Sequence, residues 1–165
     1  MSCWPGWAGR RMRWPPGRRR GRWPPGSTTG AATSWRAIGL GRQVGGDLEA
    51  ALDAYEQSLA LADHLDLFAC LAAARAALVQ VAQGRCDDAA PLVDRTQALG
   101  PALGQHEARW AAAELAVARG DDSARRVVDV ALDTAERVGL EPTTRGIKVG
   151  LAAGGHGLDL NLEPG

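Results

Sequence analysis

Three glycines, each followed by an aspartate-containing turn, divide the middle of the sequence at nearly equal intervals. Gly46, Gly84 and Gly120 are separated by 38 and 36 residues, and each ends a run of residues with high helix propensity. Glycine is favoured just beyond a helix because it adopts the left-handed conformation that closes the last turn. A helix pair cannot bury its apolar face alone, so the spacing predicts helix pairs that pack on one another.

Five helices are predicted between Asp47 and Gly139, in segments 45–63, 66–84, 87–100, 101–120 and 121–139. In the first of them the apolar residues recur at intervals of three and four, and no segment alternates in the manner of a β-strand. The predicted N-caps are Asp47, Asp66, Asp87 or Asp88, and Asp121 or Asp122. Short turns make successive helices antiparallel, so the predicted fold class is all-α.

The segment before Gly46 extends the pattern and supplies its clearest unit. The unit resembles the tetratricopeptide repeat, a helix–turn–helix of about 34 residues with the pattern W-x2-L-G-x2-Y … A-x3-F … P. The matching residues are Trp35, Ile38, Gly39, Gly46, Ala51 and Tyr55. The unit departs from the family at Arg42, where a large aromatic residue is usual.

Two later units repeat the pattern less completely. The matching residues of the second unit are Ala77, Gly84, Ala89, Val93 and Pro101, with Ala73 in place of the Trp. Those of the third are Ala113, Gly120, Ala124 and Val128, which fit after a one-residue shift. A small residue on each helix lets two backbones approach, and the larger residue fills the groove beside it. The resemblance implies a short right-handed solenoid of about three repeats, with a plain antiparallel helical bundle as the alternative.

The same resemblance implies a non-catalytic scaffold that binds proteins, similar to the repeats of bacterial LuxR-type or MalT-like regulators. In this family the first helix of each pair lines a groove that receives a peptide or a partner helix. The implied groove residues are Arg36, Arg42, Arg75, Gln80, Gln83 and Arg109, with His106 beside them. Their arginines favour an acidic partner segment through bidentate pairing. The alternative is that they are solvated surface residues.

Charge divides the chain into a basic arm and an acidic body. Residues 1–46 hold nine Arg and no acidic residue, whereas residues 47–165 hold ten basic and nineteen acidic residues. The predicted domains are a disordered leader rich in Arg, Trp, Pro and Gly (1–31), a helical repeat domain (32–140) and a Gly-rich, mostly disordered tail (141–165). The leader is interpreted as incidental, for example a misassigned reading frame. Its functional alternatives are contact with nucleic acid, contact with an anionic membrane surface, or a polyproline ligand.

The residues that carry catalytic chemistry are not arranged for it. The sequence contains no P-loop, G-x-S-x-G or H-E-x-x-H motif, and its three His are far apart. Cys70 is predicted to be a small core residue, and the Asp pairs are read as helix caps rather than metal ligands. We therefore predict no enzyme activity, no cofactor and no metal site. No apolar run reaches 18 residues and no CxxC occurs, so the expected location is the cytoplasm.

Binding to duplex DNA distinguishes the scaffold from a nucleic-acid-associated regulator that uses the arm. If the arm is the binding element, affinity falls steeply as salt rises, because its arginines release counterions from the phosphates. Deletion of residues 1–31 then abolishes that binding. A salt titration of the full chain and the deletion variant measures both effects. Absence of binding at low salt rejects the arm hypothesis.

Overall fold

The structure is a computed structural model that describes residues 28–62, 66–98 and 105–139. Those residues form six helices and no strand, which confirms the all-α class. The helices are α1 (Thr28–Val44), α2 (Leu48–Leu61), α3 (Asp66–Ala82), α4 (Cys86–Ala98), α5 (Gln105–Arg119) and α6 (Ala124–Arg137). Helix α1 begins at Thr28, ahead of the predicted boundary at residue 32. Most of the predicted leader, the predicted tail from residue 141 and Pro101 lie outside the described residues.

The three repeat glycines close their helices in the same way. Gly46, Gly84 and Gly120 have φ of 84°, 75° and 68°, values that side chains with a Cβ rarely adopt. At each site the glycine N–H bonds the carbonyl three residues back, and the next N–H bonds the carbonyl five residues back. These two bonds define the Schellman motif, so all three turns within helix pairs share one geometry.

The predicted N-caps are only partly confirmed. Asp47 caps α2, with its Oδ1 accepting a hydrogen bond from the Ala50 amide at 3.2 Å. Helix α4 instead begins at Cys86, which places Asp87 and Asp88 inside its first turn, where carboxylates suit the helix dipole. Ser123 occupies the N-cap position of α6 without a side-chain hydrogen bond, so the predicted aspartate cap of that helix is wrong.

A small residue on the first helix takes part in the contact within each helix pair. In the first pair Gly39 lies against the ring of Tyr55. In the second, Ala77 packs with Ala89 and Val93. In the third, Ala113 packs with Ala124 and Val128. Gly39, Ala77 and Ala113 thus each lie in contact with, or in one buried cluster with, residues of the second helix of their pair.

Helix α3 holds the other elements together. It contacts α1, α2, α4 and α5, whereas α1 and α2 make no contact with α5 or α6 within the described residues. Its inward-facing residues are mostly alanines, which let neighbouring backbones approach closely. No described helix has the length and apolar content needed to cross a bilayer.

Replacing Gly39 with Ala tests the closest approach in the first pair. An added Cβ would lie 2.7 Å from Tyr55 Cε1, and the ring cannot easily retreat because it is fully buried with its hydroxyl bonded to Gln43. We expect Gly39→Ala to lower the free energy of unfolding by about 1–3 kcal/mol, as overpacked cores do. Urea denaturation of the full chain measures the change.

Gly41→Ala is the matched control on the same helix. A Cβ at Gly41 meets nothing within 4 Å, so the higher helix propensity of Ala is expected to raise stability by up to about 1 kcal/mol. Equal effects of the two substitutions would contradict the packing of Tyr55 on Gly39.

Candidate functional site

The predicted groove residue with the most contacts is Arg75, at the middle of α3. Its Nε and Nη2 donate to Oε1 of Glu107 on α5, at 3.2 and 2.7 Å. Its guanidinium lies 5.2 Å from the ring centroid of Trp110, the distance of a cation–π contact. Arg75 therefore ties α3 to α5 through a carboxylate and an aromatic ring.

Burial makes this ion pair more consequential than a surface salt bridge. The side chains of Arg75 and Glu107 are 15% and 7% exposed, so solvent screens them weakly. The second carboxylate oxygen of Glu107, Oε2, is buried and has no hydrogen-bond partner within the described residues. A buried acceptor left in this way is costly unless it is paired. The ion pair therefore positions α3 against α5, and it leaves Oε2 of Glu107 without a hydrogen-bond donor among the described residues.

The buried ring of Tyr55 on α2 lies within electrostatic range of Arg75, Glu107 and Arg36. Burial raises the pKa of Tyr55 on α2 to about 12, with Arg75 and Arg36 lowering it and Glu107 raising it. The Tyr55 hydroxyl donates to Oε1 of Gln43 at 2.7 Å. Tyr55 is thus a neutral phenol at physiological pH, and its role is that of a packed ring with one satisfied donor.

Two further titratable groups on α5 lie in the same region. Burial lowers the pKa of His106, an effect that Glu107 opposes and Arg75 reinforces. Burial raises the pKa of Glu114, opposed by the Trp110 Nε1–H that donates to its carboxylate at 3.0 Å. Burial also raises the pKa of the Cys70 thiol, which is almost fully buried, as predicted for a core residue.

The remaining groove candidates do not share one surface. Arg109 donates to the hydroxyl of Thr134 on α6, and Gln83 bonds to Glu49 at 2.9 Å. Gln80 is buried, and its Oε1 has no partner within the described residues. Three of the six candidates, namely Arg75, Gln83 and Arg109, therefore have hydrogen-bond partners on other helices, and the bond of Gln83 is exposed.

The two candidates on α1 differ from the others. Arg36 is half-buried, with its Nε enclosed and without a described partner. Arg42 is exposed in the last turn of the helix. Among the arginines of the predicted groove, Arg42 on α1 is thus the one that is exposed.

An apolar stripe lies beside Arg42 on the same helix. Ala31, Trp35, Ile38 and Arg42 are spaced at four, three and four residues, which places them on one face of α1. We call these four residues the outer α1 face. All four are exposed, Trp35 at 36% and Ile38 at 42%. The repeat pattern predicts Trp35 and Ile38 to be packing residues, yet no described helix lies on them.

The helix at the other end of the array has the opposite character. The exposed residues of α6 are mostly charged, and they include the ion pairs Arg125–Asp129 and Arg137–Asp133. A charged outer face is what a terminal helix needs in order to face water. Helix α6 meets that need, whereas α1 presents Trp and Ile.

Sequence reasoning overlooked Glu107 and Trp110. Arg75, the partner of Glu107, is 32 residues away from it, and no local pattern connects the two. The repeat alignment places one of them on α3 and the other on α5, and only a structure shows that these positions face each other.

A scan against protein-family models finds no match to this chain, and searches of the curated proteins and of the solved structures find none either. Within residues 28–62, 66–98 and 105–139, no group of three or more His, Cys, Asp or Glu is placed to hold a metal ion.

Removing one member of the Arg75–Glu107 pair tests its structural role. Glu107→Ala leaves Arg75 mostly buried without its carboxylate, and we expect a loss of about 3 kcal/mol in the free energy of unfolding. The double variant Arg75→Met/Glu107→Leu removes both charges and is expected to lose less than the single variant. Urea denaturation measures these variants together with the single substitutions Arg75→Met and Glu107→Leu. If the loss of stability in the double variant equals the sum of the losses in these two single variants, the two side chains are not coupled.

Proposed function

We propose that this chain is a protein-interaction module built of tetratricopeptide-like repeats, without catalytic activity, of the kind found in bacterial regulators. Support for the repeats comes from the three helix pairs, whose small contact residues occupy matching positions. The buried apolar residues form four clusters that follow one another through the helices, with Leu92 and Trp110 each packed against two of them. A stacked array distributes its core in this way, whereas a bundle closes around one core.

The exposed outer α1 face is the observation that carries the interaction function. Large apolar side chains grouped on one exposed face mark sites where another macromolecule binds. Trp and Arg are enriched at the energetic centres of protein interfaces, and this face holds Trp35 and Arg42 side by side with Ile38. Because Arg75 and Arg109 already have internal partners, we place partner contact at α1 rather than along α3 and α5.

Selection of binding peptides from a phage-displayed random library tests the proposal. We expect peptides that bind the full chain and lose at least about tenfold in affinity for the Ile38→Asp variant, because an aspartate removes apolar contact and introduces a charge that must be desolvated. Fluorescence anisotropy with the recovered peptides measures the affinities.

Val130→Asp on α6 is the matched control. Val130 is 45% exposed, close to the value for Ile38, and both are β-branched aliphatic residues on the outside of an end helix. The control variant is expected to bind the peptides within about twofold of the natural chain. Peptides that are never recovered, or that bind both variants equally, contradict the proposal.

A further inference from the structure

The outer α1 face has an equivalent on α3. Adding the 38-residue interval between Gly46 and Gly84 to its four positions gives a second stripe. The stripe consists of Ala69, Ala73, Ala76 and Gln80. All four of these residues are buried, in contrast to their exposed counterparts on α1.

Helix α2 covers the α3 stripe. Ala76 lies in one buried cluster with Ala51, Leu52 and Tyr55 of α2. Ala69 lies in another with Ala62, the C-cap of α2, and Ala32 of α1. The stripe on α3 is thus the surface on which the second helix of the preceding pair packs, and we call such a surface a seat. On α1 the corresponding seat is uncovered in the described structure, since α1 contacts only α2 and α3.

The covering helix α2 indicates what kind of helix fits such a seat. One side of α2 is apolar, and its exposed side carries Glu49, Asp53 and Glu56. Glu49 forms an ion pair at 2.6 Å with Arg85, a residue that follows α3. An acidic residue of α2 therefore meets a cation beside α3, the helix that α2 covers. An acidic amphipathic helix is therefore the form already used in this contact.

Charge favours the same kind of helix at α1. Helix α1 carries Arg36 and Arg42 and no acidic residue. The 27 residues before it contain seven arginines and no acid. Like charges disfavour a second copy of α1 on this face, whereas a negatively charged helix is attracted to it. Trp35 and Ile38 stand where α3 has two alanines, and they offer the partner a larger apolar contact than α3 offers α2.

We infer that the outer α1 face is the docking site for an acidic amphipathic helix of a partner protein, which lies on α1 as α2 lies on α3. The inference rests on the proposed function and specifies its partner by chemistry. The partner helix presents small and aliphatic residues at helical spacing toward Trp35 and Ile38. Its acidic residues lie toward Arg42.

A labelled peptide with the sequence of residues 47–62 is the probe, because it is the helix that already occupies the equivalent seat. The full chain is titrated against it at low salt, and fluorescence anisotropy reports binding. We expect saturable binding that weakens at least about tenfold with Ile38→Asp and less than about twofold with Val130→Asp. Circular dichroism verifies that both variants keep their helix content, and Trp35→Ala repeats the test if Ile38→Asp unfolds.

A second peptide isolates the charge. It carries Lys in place of Glu49, Asp53 and Glu56, and we expect it to bind at least about tenfold more weakly at low salt, with the difference shrinking at high salt. Arg42→Glu on the chain should narrow the gap between the two peptides. Arg126→Glu on α6, also an exposed arginine, should leave it unchanged.

The outcomes separate this inference from the proposed function. If both peptides bind equally and both are lost with Ile38→Asp, the acidic character is wrong and the interaction face stands. If Ile38→Asp leaves binding unchanged, the peptide has displaced α2 from its place on α3, and the inference is overturned. Concentration-dependent dimers in sedimentation that dissociate with Ile38→Asp would assign the face to a second copy. A further result would be that neither peptide binds while library peptides still bind in a manner sensitive to Ile38→Asp. That result would overturn the inference of a helical partner and leave the proposed interaction function intact.

Discussion

Close backbone approach around α3 is the constraint on which the rest of the structure depends. Alanine at most of its inward positions lets four helices pack on one central helix, and a larger side chain at any of these positions would push a neighbour away. The same requirement appears in the first pair, where Gly39 makes room for Tyr55. The Arg75–Glu107 ion pair adds a polar contact between α3 and α5. Apolar contact thus sets the distances, and one buried ion pair fixes how two of the helices are aligned.

The sequence alone was sufficient for the local features of this fold. Helix-ending glycines, the Asp47 cap and the small residues at pair contacts follow from short-range rules, and they were found where predicted. The caps of α4 and α6 were wrong because those helices begin one residue before the first predicted aspartate and one residue after Ser123, respectively, and the local pattern does not fix a helix start to within one or two residues. Residues such as Arg75 and Arg109 were read as candidates for partner contact. Their internal partners lie on other helices, so no pattern in one segment reveals them.

The two end helices are exposed to water in different ways. Helix α6 satisfies its outer face with charges and ion pairs, so that end is compatible with solvent as it stands. The outer α1 face is apolar at Trp35 and Ile38, which the repeat pattern treats as interior positions. The discrepancy between predicted burial and observed exposure is informative here because it points to the surface on which the proposed function depends.

The Schellman turns have a consequence for how this architecture tolerates changes in chain length. In each pair two bonds close the first helix at the glycine, so an inserted residue there would break the bond to the carbonyl five positions back. The segment between the two helices has three residues in the first two pairs and four in the third. The connections between pairs differ in length as well, with four residues between Leu61 and Asp66 and six between Ala98 and Gln105. A change in chain length is therefore expected to be tolerated less well inside these three turns than at positions where no such pair of bonds is broken.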